Sequence, residues 1–171
     1  VMDGFTLGGG MGLAQGCDLR VVTERSRLGM PEVGIGYFPD VGGSYFLSRI
    51  PGELGIYLGV SGAQIQAADA LYCGLADWYL ASDQLAALDR GLDQLDFSDH
   101  PLKDLQNLLA RLGTQTLDDA PLEKLRPAID HFFALPDLPA IVEQLRAVSL
   151  GDSHASVSYT HLRAHETPEH L

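Results

Sequence analysis

Three consecutive glycines, Gly8-Gly9-Gly10, and two later carboxylates, Glu32 and Asp40, are the residues best suited to carry chemistry. Without Cβ atoms, the glycine run lets its backbone N–H groups approach a ligand closely. A helix opening there would aim unpaired amides and a positive dipole end at that ligand. Fixed N–H donors stabilise a developing oxyanion, and a nearby carboxylate pair can attack, activate water or shuttle a proton. Together these are the parts needed for chemistry at an acyl carbonyl.

Each group also has a structural role open to it. The glycines can form a turn. Glu32 follows Pro31, and Pro-Glu is a common helix opening in which the carboxylate complements the dipole. Asp40 precedes Val41-Gly42-Gly43 and can act as a helix N-cap. Residues Ile35 to Pro39 are apolar and hold no cation, so a carboxylate projecting among them would be desolvated, as a general base requires. Nucleotide loops are excluded by spacing. Gly8 and Gly10 each fail the G-x-G-x-x-G pattern, at Leu13 and Gln15, and no Gly-Lys-Ser/Thr ending follows. Ser44 is followed by Tyr45 and Phe46, so a G-x-S-x-G elbow is also absent.

The elements that must position these groups are short. Fifteen of the 19 glycines fall in residues 1–62, where apolar runs alternate with glycine breaks as in an α/β domain. Val1 to Leu7 reads as a strand end and its loop, Gly9 to Cys17 as a helix, and Leu19 to Thr23 and Leu28 to Met30 as strands. Helices are expected over Gly42 to Ile50, Glu53 to Val60 and Ala67 to Tyr72, with a strand over Ala76 to Leu80. From Ser82 the periodicity is helical. Ser82 or Asp83 caps a helix through Leu92, and Pro101, Pro121 and Leu138 or Pro139 open three more. Their apolar stripes are Leu102, Leu105, Leu108, Leu109 and Leu112; Leu122, Leu125, Ile129, Phe132 and Phe133; and Ile141, Leu145 and Val148.

Composition sets the outer bounds. A net charge of −12 argues against nucleic acid as a partner. Residues 1–60 carry four basic and six acidic side chains, against six and fourteen over 61–150, so a polyanionic small molecule meets little opposing field in the first part. No apolar run is long enough to span a membrane. Cys17 and Cys73 fit no zinc or disulfide pattern, and both read as small buried hydrophobes. Four of the six histidines lie beyond Gly151, where only His161 and His165 share a helical spacing, and no metal is expected.

The order Gly8-Gly9-Gly10, Cys17-Asp18, Pro31-Glu32, Gly36-x-x-Pro39, Gly42-Gly43, with Ser61-Gly62 followed by Ala68, Ala70 and Gly74-Leu75-Ala76, resembles the crotonase (enoyl-CoA hydratase/isomerase) superfamily. Within it, Phe38-Pro39-Asp40-Val41-Gly42-Gly43-Ser44-Tyr45-Phe46-Leu47 is similar to the 3-hydroxyisobutyryl-CoA hydrolase branch. The resemblance implies an α/β, crotonase-like spiral core of ββα units over residues 1–81, a helical segment over 82–150, and a tail over 151–171 foreign to the domain. It implies that the Gly9 N–H, flanked by Gly8 and Gly10, is one of two donors to a thioester oxygen, the other lying upstream of Val1. Glu32 would be the principal carboxylate and Asp40 its assistant. Family hydratases commonly carry a glutamate where this chain has Gly12 and a glycine where it has Asp40; both departures favour hydrolysis over hydration. Coenzyme A enters only as part of an acyl-CoA substrate, with no other cofactor. The further expectations are a bacterial-type cytoplasm or an organellar matrix, possible homo-oligomers, and little activity from residues 1–171 by themselves. An enoyl-CoA hydratase or isomerase and a non-catalytic interaction module of the same fold are the alternatives.

Overall fold

The computed structural model describes residues 1–148, and the expected foreign tail lies outside them. Its strands are β1 (Phe5–Leu7), β2 (Val21–Val22), β3 (Arg27–Gly29) and β4 (Trp78–Tyr79). Its α-helices are α1 (Gly9–Gln15), α2 (Gly43–Leu47), α3 (Leu54–Ser61), α4 (Ala67–Tyr72), α5 (Leu85–Asp93), α6 (Pro101–Leu112), α7 (Pro121–Phe133) and α8 (Leu138–Val148). Short 3₁₀ turns cover Pro31–Ile35 and Ser82–Gln84.

All strand pairing between named strands is parallel. β1 lies beside β3 with Leu7 opposite Gly29, and β2 beside β4 with Val21 opposite Trp78. A parallel bridge from Met2 to Val22 joins the two pairs. Parallel neighbours need crossover connections, and α1 supplies the first, between β1 and β2. The parallel register also brings the carboxyl ends of β1 and β3 together, where the glycine run and Pro31-Glu32 begin.

The main core joins these strands to the helices. Met11, Leu28, Met30, Leu54, Tyr57, Ile129 and Phe133 are all buried in it. α7 docks on α3 through an edge-on contact between Phe133 and Tyr57, with ring centroids 5.3 Å apart. Two carboxylates fasten this docking. Asp130 on α7 accepts from the Glu53 N–H at the head of α3, at 2.8 Å. Asp69 on α4 accepts from the Leu122 N–H in the first turn of α7, also at 2.8 Å, so each helix has a start satisfied by another element. A smaller core holds Val21, Trp78, Leu80, Leu88 and Leu109, beneath α5 and α6.

Asp69 is only 6% exposed, and burial pushes its carboxyl above the ordinary aspartate range. The folded state therefore holds the proton more tightly than the unfolded chain. Stability from this group is greatest below the unfolded aspartate value and declines as pH rises through the folded one. Asp69→Asn keeps an oxygen acceptor for Leu122 and is expected to flatten that decline. Asp69→Ala leaves the N–H unpaired and should cost about 1–3 kcal/mol. Urea unfolding of the three proteins between acidic and neutral pH checks both outcomes.

Several elements differ from expectation. The strand over Ala76 to Leu80 contracts to Trp78–Tyr79, and the helix from Gly42 ends at Leu47. Ser82 opens a 3₁₀ turn without capping it, and its own N–H is taken by Glu24 at 2.9 Å. Leu102, expected on a buried face, is 44% exposed, because α6 meets the small core only through Leu108, Leu109 and Leu112. Cys17 is exposed at the end of α1, whereas Cys73 is buried and its thiol is pushed up to about 12.

Candidate active site

Gly8 follows β1 with φ of 50° and serves as the N-cap of α1, a left-handed backbone that side chains disfavour. Its N–H donates to the Gly29 carbonyl at 3.1 Å, tying the glycine run to the end of β3. Gly9 and Gly10 open α1, where amides have no carbonyl one turn earlier within the helix. Glu32 lies in the first turn of the 3₁₀ segment, whose Pro31 needs no amide partner.

Glu32 meets the glycine run directly. A Cβ placed on Gly8 would lie 2.6 Å from Glu32 Oε1, so the carboxylate occupies the space that a side chain there would fill. The other oxygen, Oε2, is buried and has no hydrogen-bond partner. An unsatisfied buried carboxylate oxygen is costly, and a catalytic role is one reason a structure keeps such a group.

Asp40 comes to the same helix through its neighbour. It does not cap α2. Gly42 is the N-cap, no side chain bonds there, and Asp40 contributes only its carbonyl, which accepts from the Gly43 N–H at 2.6 Å. Beside it, Val41 sits on α1: a Cβ on Gly12 would lie 2.6 Å from both the Val41 Cβ and its carbonyl oxygen. Gly12 is one turn along α1 from Gly8, whose carbonyl accepts from its N–H at 3.1 Å. The apolar residues expected to wall off Asp40 are instead open, with Ile35 and Phe38 83% and 62% exposed and Asp40 itself exposed. The reason is topological: after the 3₁₀ turn the loop runs over the surface, and Tyr37 and Phe38 stack on each other 4.4 Å apart.

The contact between Val41 and Gly12 was not foreseen from the sequence. A valine in an Asp-Val-Gly-Gly run carries no mark of its fold partner. A cavity of about 490 Å³, lined by Tyr57, Ile65, Asp69, Tyr79 and Leu122 among others, includes neither Glu32 nor the glycine run. Gly8 is buried and Glu32 half-buried, whereas Gly9 and Gly10 are exposed.

The family model described as enoyl-CoA hydratase/isomerase matches residues 1–167. This chain belongs to the enoyl-CoA hydratase/isomerase family. It is 34% identical over 173 residues to the 3-hydroxyisobutyryl-CoA hydrolase, mitochondrial, of Danio rerio, covering 95% of this chain and 45% of that one. It is 37% identical over 153 residues to small ribosomal subunit protein mS47 of Neurospora crassa, covering 85% and 30%. The crystal structure of a carnitinyl-CoA dehydratase from Mycobacterium thermoresistibile superposes with a TM-score of 0.77 at 32% identity, over 92% of this chain and 43% of that one. The fold is therefore crotonase-like, as the family resemblance implied. The chain spans less than half the length of these curated relatives.

Proposed function

We propose that this chain is the glycine-run and carboxylate portion of an acyl-CoA thioester hydrolase acting on a short branched β-hydroxyacyl-CoA, 3-hydroxyisobutyryl-CoA first among them. The Gly9 N–H donates to the thioester carbonyl oxygen as it gains negative charge. Glu32 attacks the carbonyl or activates the water that does. Asp40 orients the water or the substrate hydroxyl. Water is consumed, the carbon–sulfur bond breaks, and the free acid and the coenzyme A thiol leave.

The single observation that supports this most is the packing of Glu32 Oε1 against Gly8, in a side chain whose other carboxylate oxygen, Oε2, is buried and unpaired. The relative from Danio rerio is itself a 3-hydroxyisobutyryl-CoA hydrolase by name. Hydration of an alkene uses two acid/base groups around the double bond. This chain has glycine at position 12, with Val41 filling the space beside it. That relative is mitochondrial by name, so an organellar matrix is a fitting compartment, and a bacterial-type cytoplasm serves the same chemistry.

In the full-length protein, thiol release from 3-hydroxyisobutyryl-CoA is the expected result. Consumption of an alkenoyl-CoA with no thiol released would instead assign it to the hydratases. The likeness to a ribosomal subunit protein favours one other reading, a crotonase-fold interaction module without turnover. In that case no acyl-CoA is processed, and Glu32→Gln with Asp40→Asn leaves assembly unchanged.

A further inference from the structure

Beyond the hydrolase reading and independent of it, we propose that the cavity of about 490 Å³ bounded by α3, α4 and the start of α7 binds a small organic ammonium ion with an apolar body, held by the Asp69 carboxylate and the Tyr57 hydroxyl. Both side chains line the cavity, and they are only 6% and 4% exposed. Asp69 uses Oδ1 to accept from the Leu122 N–H at 2.8 Å, and its Oδ2 has no hydrogen-bond partner. The Tyr57 hydroxyl has none either among the described residues. The unpaired side-chain atoms sealed from solvent there are Glu32 Oε2 and Trp78 Nε1, so Oδ2 and the hydroxyl both still reach open space. In side chains so deeply buried, that space is the cavity they line.

The lining sets the sign of the ligand. Glu24 and Asp119 join Asp69 in it, and no Lys, Arg or His does among the described residues. Glu24 and Asp119 are exposed and already engaged, by the Ser82 N–H and hydroxyl and by Lys124, which leaves Asp69 to meet a ligand. Burial raises both Asp69 and Tyr57 above their ordinary ranges, and the charge of Asp69 adds to the rise at Tyr57, so the two groups act on one region. An ammonium group entering there pairs with the carboxylate and offsets its desolvation, and the tyrosine oxygen accepts a second N–H. A metal ion does not suit the cavity: no three His, Cys, Asp or Glu side chains among the described residues are grouped to hold one. Much of the remaining wall is apolar, from Ile65, Ala67, Leu122 and Leu125, so the cation carries hydrocarbon. An acyl-CoA, with its phosphates, meets like charge here, so this ligand is not the thioester substrate.

The test uses the full-length protein with phenethylamine, protonated at neutral pH, and phenethyl alcohol, a neutral molecule of nearly the same shape. The shift of the Leu122 amide resonance follows occupancy, because Leu122 lines the cavity and donates to Asp69. The amine is expected to bind with a Kd of about 1 mM, ordinary for a ligand of its size. The alcohol should bind roughly 10- to 100-fold more weakly, the usual difference made by a hydrogen bond to a charged group. Asp69→Asn keeps an acceptor for Leu122 and should reduce that preference to less than about 3-fold. Tyr57→Phe keeps the ring against Phe133 and should weaken the amine by roughly 3- to 10-fold. Equal binding of amine and alcohol, no binding of the amine, or a preference that survives Asp69→Asn would overturn the assignment. Should Asp69→Asn fail to fold, the wild-type comparison and Tyr57→Phe decide it, with unchanged amine affinity in Tyr57→Phe counting against the site.

Discussion

Glu32→Gln is expected to abolish most thioester turnover, lowering kcat on the order of 10²- to 10⁴-fold, the usual contribution of a positioned acid/base group. The amide is nearly isosteric with the carboxylate, so the contact with Gly8 should survive and KM should change little. Stability should stay nearly level. The carboxylate oxygen Oε2 has no hydrogen-bond partner, so the substitution breaks no bond to it. Thiol release measured beside a urea titration separates the two effects. Near-wild-type turnover in Glu32→Gln would remove the glutamate from the reaction. A large loss of stability would instead show that Glu32 holds the fold.

The largest effect on folding should come from Phe133→Ala. Phe133 is fully buried at the end of α7 and packs edge-on against Tyr57 of α3. Truncating a buried phenylalanine costs about 3–5 kcal/mol, the sum of lost transfer energy and an unfilled cavity. No compensating collapse is available, because α7 is fixed at both ends of its docking by Asp69 at Leu122 and Asp130 at Glu53. Denaturant midpoints are expected to fall by the corresponding amount with an unchanged slope. A shift under about 1 kcal/mol, a typical surface-level effect, would mean that α7 contributes little to the core.

The helical half was largely legible from periodicity. The starts of α6 and α7 at Pro101 and Pro121 follow from proline at the first helical position. The stripe Leu122, Ile129, Phe132, Phe133 is buried as its spacing requires. Leu102 broke the pattern, since an apolar residue on an amphipathic face is buried only where a neighbour reaches it. In the first half the element types were readable but their extents were not. β2 and β4 are two residues each, because the ladder lasts only as long as the parallel partner stays alongside. Asp40 was ambiguous between helix cap and site residue, since both uses place an aspartate ahead of glycines. Only the packed turn shows that the capping position belongs to Gly42.

By its own order of residues the chain determined which groups are present: a stretch without Cβ atoms, a proline-led glutamate, an aspartate before two glycines, and the family to which that order belongs. Local chemistry decides such features, because bare backbone and carboxylates keep their character wherever they are placed. What brought Glu32 to Gly8, and Val41 to Gly12, was the parallel pairing of β1 with β3 and the return of the loop onto α1. Those are contacts between residues distant along the chain, set by register and steric fit, and no spacing in one strand or helix encodes its partner on another.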